Sequence, residues 1–217
     1  MSFRLKHINW KYIVGEILLL FVGINLAIWF NDWNSAKSIQ KDKEIALTKI
    51  KGEIEANLVQ LVENRTENQK IPPFVHELDS ALNEQDQLLL SPTDWQNFRA
   101  KYPNFIVAID SVFIGDGIFN YISDTSLYLE ITDLSSIAWE ISKSTGIFHE
   151  FGYDCLYDLQ GMYYTQDLVR DEMKKATDAL SNRSIDDLVK VLKIINQLEV
   201  QLEGQYRDMI ENIDNCK

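Results

Sequence analysis

Residues 12–30 read YIVGEILLLFVGINLAIWF, and this run constrains the chain more than any other feature. As a helix, nineteen residues rise about 28 Å, close to the roughly 30 Å of a bilayer's hydrocarbon core. Glu16 is the one ionisable residue in the run and Asn25 the one side-chain amide. Trp10 and Tyr12 flank one end, Trp29 and Trp33 the other, where aromatic rings favour the headgroup level. A cleaved signal peptide is the rival reading, supported by the basic start at Arg4, Lys6 and Lys11. Against it, the apolar run is long and leads into Trp29-Phe30-Asn31-Asp32-Trp33 without a small-x-small cleavage site. The expectation is an uncleaved single-pass signal anchor, with residues 1–11 as a basic tail and 12–31 as the membrane helix.

Positive charge alone does not orient such an anchor. Arg4, Lys6 and Lys11 precede the span, and Lys37, Lys41 and Lys43 follow it, so the Lys/Arg counts are equal. The leading group is not offset by acids, whereas Asp32, Asp42 and Glu44 accompany the trailing one. A long downstream domain translocates largely regardless of its charge. The expected topology has the N-terminus in the cytoplasm and the remainder outside, which in a bacterium places the body in the periplasm, tethered to the inner membrane.

The span carries a polar stripe. On a helix, Gly23, Ala27 and Asn34 share the face of Glu16, with Asn25 opposite. Gly23-xxx-Ala27 is a small-xxx-small pair that admits a close second helix, and a carboxylate in an apolar span favours a hydrogen-bonding partner. Glu16, Gly23, Ala27 and Asn34 are therefore the candidate helix-contact residues. The alternative is a lone anchor whose Glu16 snorkels to the headgroups.

The same stretch carries a resemblance. Gly15, Glu16, Ile17, Gly23, Ile24, Ala27, Asn31, Trp33 and Asn34 make a G-E-I, G-I, A, N-x-W-N pattern. It resembles the opening of a family of uncharacterised bacterial single-pass membrane proteins. Asn25, Trp29 and Phe30 depart from that pattern. AWEISKSTGIF, with Trp139, Glu140 and Gly146, is more weakly similar to a helix-then-glycine unit in such proteins. The resemblance implies topology and localisation; the family carries no assigned activity.

Composition narrows what remains. The chain has 217 residues, 46% hydrophobic and 25% charged, with a formal net charge of −12. That is globular, and the acid excess argues against nucleic acid as a partner, because phosphate backbones demand clustered Lys and Arg. Two cysteines exclude a disulfide-rich scaffold and a four-Cys zinc site.

Beyond the span the apolar spacing is helical. Leu47, Ile50, Ile54, Leu58, Leu61 and Arg65 recur at steps of three and four, predicting a stalk helix over 35–70 that stops before Pro72-Pro73. Ser91-Pro92-Thr93-Asp94 signals a helix start. Thr132-Asp133 signals another, with Gly146 as the stop. Residues 148–180 read as one long helix or two abutting ones. Ser184 to Asp187 opens a final helix, with Leu188, Leu192, Ile195, Leu198, Leu202, Tyr206, Met209 and Ile213 on one side. Residues 103–131, although β-branched and containing Gly115 and Gly117, are expected to be helical like their surroundings. The fold class expected is all-α: a membrane helix running into a stalk, then an antiparallel bundle over 72–217 that packs with 45–65.

Signatures of chemistry are weak. His149-Glu150 begins like a metalloprotease helix, but the second histidine position holds Tyr153; His7 and His76 lack metal-ligand spacing. Gly115-Asp116-Gly117 lacks the glycine spacing and lysine of a phosphate loop and reads as a turn. Ser126, Ser135 and Ser136 lack a nucleophile elbow's glycines. Cys155 reads as a core residue and Cys216 as a free terminal thiol, with a periplasmic disulfide as the alternative. Phe148, Phe151, Tyr153, Tyr157, Tyr163 and Tyr164 read as core, with a ligand groove as the alternative. No catalytic residue, metal or cofactor is expected, and the chain is not expected to be an enzyme. The function expected is a membrane-anchored interaction or scaffold protein, partnered by the bilayer and by another envelope protein or itself. The alternative is an envelope sensor or small-ligand-binding module acting through a partner.

Overall fold

A computed structural model describes residues 10–216. The basic tail with Arg4, Lys6 and His7 lies outside the described residues, apart from its end at Trp10 and Lys11. Helix α1 runs without interruption over Trp10–Asn68, 59 residues and about 90 Å by the rise of an α-helix. No proline falls in it, and Gly52 does not break it. Its first half is long and apolar enough to cross a membrane, and none of its most apolar window is buried against the rest of the chain. Its second half packs into the body, burying Leu47, Ile50, Ile54 and Leu61. Pro72 and Pro73 sit in the first turn of α2 (Ile71–Ala81), where a missing N–H costs nothing.

The body is mostly helical: α3 (Pro92–Lys101), α4 (Ile137–Ser144), α5 (Tyr153–Ser181) and α6 (Ile185–Asn212) follow in order. Residues 148–180 thus resolve into a short 3-10 turn, Ile147–Glu150, and one long helix. α5 and α6 form an antiparallel hairpin, and α6 also packs along the second half of α1. Ser91 caps α3, its hydroxyl accepting from the Asp94 N–H at 3.1 Å.

The body is not purely α-helical. Residues 103–131, expected to be helical, hold two strands, β2 (Ile106–Gly115) and β3 (Ile118–Thr125), while β1 (Leu88–Leu90) adds an antiparallel partner in the order β1-β3-β2. The physical reason was in the residues. Val, Ile and Phe crowd a helix but suit a pleated surface. Gly115, Asp116 and Gly117 all take positive φ (140°, 51° and 77°), the backbone of a tight hairpin turn. The sheet closes a second core, at the end of the body away from the apolar half of α1, in which the Phe74 and Phe105 rings stack at 4.6 Å and Trp95 and Tyr121 at 4.5 Å.

Between β3 and α4 the chain runs without regular structure, yet it is anchored firmly. Amide side chains of α1 bond its backbone as a neighbouring strand would. Asn68 donates to the Glu130 carbonyl at 2.8 Å and accepts its N–H at 2.9 Å. Asn64 donates to Ile131 O at 3.1 Å. Asn57 donates to Ser135 O at 2.7 Å and accepts its N–H at 2.9 Å. From α5, the Gln166 amide nitrogen donates to Leu134 O and Ser135 O, both at 3.0 Å, and its oxygen accepts from the Tyr206 hydroxyl at 2.7 Å. This anchoring explains why α4 starts at Ile137 rather than just after Thr132-Asp133. The backbone there is committed to α1 and α5.

Cys155 and Cys216 are joined in a disulfide, with their Cα atoms 5.4 Å apart. This corrects the reading of two unpaired thiols. The C-terminal 3-10 turn (Ile213–Cys216) folds back against the start of α5, so Ile213 and Cys216 are buried. Reducing this bridge, or replacing Cys216 by Ser, is expected to cost about 4 kcal/mol on loop-closure grounds, read as a lowered denaturation midpoint. Asn57→Leu is expected to cost about 1–3 kcal/mol, because the Ser135 N–H loses its partner while its carbonyl keeps only the bond from Gln166; urea denaturation followed by circular dichroism measures it.

Candidate functional site

α4 is the pivot of the end of the body from which the apolar half of α1 emerges. Its Ser136 side chain makes no capping bond. The cap comes instead from α1: Glu53 Oε2 accepts from the Ala138 N–H and the Ser135 hydroxyl, both at 2.8 Å, placing a carboxylate where the helix's free N–H groups gather. The other Glu53 oxygen accepts from the Tyr163 hydroxyl at 2.8 Å. Trp139, buried, stacks on the Tyr163 ring at 5.3 Å with the planes nearly parallel. Gly146 ends the unit with φ of 77°, a conformation that favours glycine.

Grooves lie on both sides of α4. One, of about 620 Å³, runs between α4 and α1 and is lined by Ile45, Ala46, Ile137, Ile141 and Ile147. Ile45, Ile137 and Ile141 are each about half exposed or more. The other, of about 960 Å³, runs between α4, α5 and the end of α6. Its side wall is a row on α5: Tyr153, Tyr157 and Tyr164, at 81%, 72% and 62% exposure. Steps of four and seven put the three on one helix face. Phe151 and Tyr163, by contrast, are buried. The aromatic cluster expected to be core is therefore split. Tyr163 lies about 80° around α5 from Tyr153, so one helix face cannot hold both. His149 and Glu150 do not line this groove.

The electrostatics set some groups apart. Burial, and then the Glu53 carboxylate, raise the Tyr163 hydroxyl above the ordinary phenol range; burial likewise raises Tyr206. Both stay protonated and act as fixed donors. Glu199 on α6 is 1% exposed. Burial pushes its carboxyl up to about 7, and nearby Arg65 and Thr132 only partly oppose this. Arg65 itself is paired with Glu203, and Glu203 also accepts from Arg207 at 2.7 Å. Arg65, placed on the apolar stripe by its spacing, thus ends in an ion pair with α6. Among the described residues, no group of three His, Cys, Asp or Glu side chains is placed to hold a metal ion.

The residues singled out in the span lie elsewhere. Glu16, Gly23, Ala27 and Asn34 occupy an exposed face of α1, away from the body, and a Cβ at Gly23 would meet nothing within 4 Å. Trp10, Tyr12, Trp29 and Trp33 are likewise exposed, with Lys37 Nζ 5.7 Å from the centre of the Trp33 ring. Asn25 satisfies its own amide by donating to Phe21 O at 2.7 Å. Within the chain, nothing brings this stripe together with the grooves beside α4.

Comparison with protein-family models, with curated proteins and with solved structures finds no match.

Asn57, Asn68, Gln166 and Glu199 are buried polar residues that apolar spacing passed over. A signal existed for two of them. Asn57 and Asn68 continue the register of Leu47, Ile50, Ile54 and Leu61, and an amide on a core-facing position asks for a polar partner. Glu199 carries its own prediction. Its folded carboxyl binds the proton more tightly than the unfolded one does, so stability falls as pH rises from about 4.5 to about 7 and is not regained above. Glu199→Gln should abolish this component, stabilising the protein by about 3 kcal/mol at pH 8 and little at pH 4. Denaturation of both forms across this range provides the check.

Proposed function

We propose that the chain is a membrane-anchored helical interaction or scaffold protein of the bacterial inner membrane, with no catalytic role. The N-terminus lies in the cytoplasm and the body in the periplasm. The observation that carries this reading is α1 itself, one helix in which a wholly exposed apolar half continues into the half that nucleates the body. Such an element fixes the body at a set height and orientation relative to a bilayer. The Cys155–Cys216 bridge supports the periplasmic side, because disulfides persist in oxidising compartments. The resemblance of the span to bacterial single-pass proteins agrees with the same topology. Partners would be engaged at two levels: Glu16, Gly23, Ala27 and Asn34 in the bilayer, and the half-exposed isoleucines of α1 and α4 above it. The partner is another envelope protein or a second copy.

The second reading, a ligand-binding module that acts through a partner, is favoured by one observation: three exposed tyrosines in a row beside α4.

Crosslinking in native membranes tests the leading reading. Specific adducts are expected, reduced severalfold by Glu16→Leu or by Ile141→Glu. Recovery of uncrosslinked monomer alone, with both variants behaving as wild type, would overturn it. Ile141 is exposed, so its replacement leaves the fold intact.

A further inference from the structure

We propose that the groove between α4, α5 and α6 binds a neutral oligosaccharide, its sugar rings seated on Tyr153, Tyr157 and Tyr164. This rests on the ligand-binding reading and names its ligand class. The row of rings is the first argument. The three tyrosines are largely exposed along the groove, and a tyrosine ring offers an apolar face with a polar tip. A pyranose is the matching object: its C–H faces are apolar and polarised toward an electron-rich ring, and its rim carries hydroxyls. The tyrosines are spaced about 6 Å and about 10.5 Å apart along α5, as an extended chain of rings requires. In the longer gap sits Gly161, where a Cβ would meet nothing within 4 Å. The helix surface is therefore open there to close approach.

The rim supplies the second argument. Asp158 and Asp208 accept hydrogen bonds only, and Gln160 and Gln205 both donate and accept. Sugar hydroxyls are donors as well as acceptors and meet such a rim. The charge excludes anionic ligands. Lys143 is the one basic residue lining the groove, and it is engaged by Glu140 at 2.6 Å and by the Trp139 ring at 5.5 Å. A proline-rich peptide also lies on aromatic rows, but its backbone offers chiefly carbonyl acceptors, and those would face carboxylates.

The test uses the full-length chain in nanodiscs of phosphatidylethanolamine and phosphatidylglycerol, prepared without glycoside detergents. Chitotetraose, cellotetraose and maltotetraose are titrated beside decaproline, with saturation-transfer NMR and calorimetry as readouts. Saturable binding of at least one tetrasaccharide is expected. Tyr157→Ala and Tyr164→Ala should each weaken it tenfold or more, whereas Tyr128→Ala, exposed but outside the groove, should leave it unchanged. Because these side chains are exposed, thermal melts should coincide with wild type. Decaproline binding that depends on Tyr157, with no sugar bound, would overturn the oligosaccharide while leaving a ligand-binding groove. No saturable binding of any probe, or sugar binding indifferent to Tyr157 and Tyr164, would overturn the proposal and remove the support for the ligand-binding reading.

Discussion

The body depends on side-chain amides standing in for a missing β-strand. The stretch from Glu130 to Ser135 has no strand beside it, yet its backbone cannot be left unpaired against a helical core. Asn57, Asn64 and Asn68 of α1 and Gln166 of α5 meet that demand. Asn57 and Asn68 each satisfy a backbone donor and a backbone acceptor at once, a substitution that an apolar residue of the same size cannot make. The consequence propagates. With Ser135 fixed, Glu53 reaches the start of α4, α4 lays Trp139 on Tyr163, and the two grooves take their shape. Remove the amides and the body keeps its helices but loses the reason for their relative placement.

α1 joins two solvent regimes within one secondary structure. In its first half every apolar side chain points outward, as suits lipid; in its second half one stripe points inward, as suits a bundle. No turn, proline or flexible segment separates the two. The body is thus coupled to any rotation or tilt of the span, which suits a protein that presents surfaces at a defined height better than one that searches space on a tether.

Much of this architecture could be read in the residues, and the failures have physical causes. Ser91, Gly146 and the steps along α6 marked elements that the structure contains, because capping and amphipathic spacing are local. The strands differ from the helical expectation because a β-branched run with two glycines outweighs the helical tendency of its neighbours, and these features are themselves local. Phe151 and Tyr163 were assigned correctly to the core, but Tyr153, Tyr157 and Tyr164 were not: counting aromatic residues in a segment does not say which helix face each one takes. The amide network was harder. Asn57 and Asn68 could be flagged by register, but their partners lie 78 and 62 residues away in sequence. The disulfide shares this difficulty, since 61 residues separate its cysteines and only the α5–α6 turn returns one to the other.

That bridge has a mechanical meaning. It locks the open end of the α5–α6 hairpin, so the last helix cannot peel away from its tip, where helices ordinarily fray first. Loosening of the body is then favoured at the far end, around the three-stranded sheet and the turn near Arg183, while the end from which the apolar half of α1 emerges stays clamped. Thermal breathing is directed toward the sheet, and the surfaces around α4 keep their form while the opposite end gives.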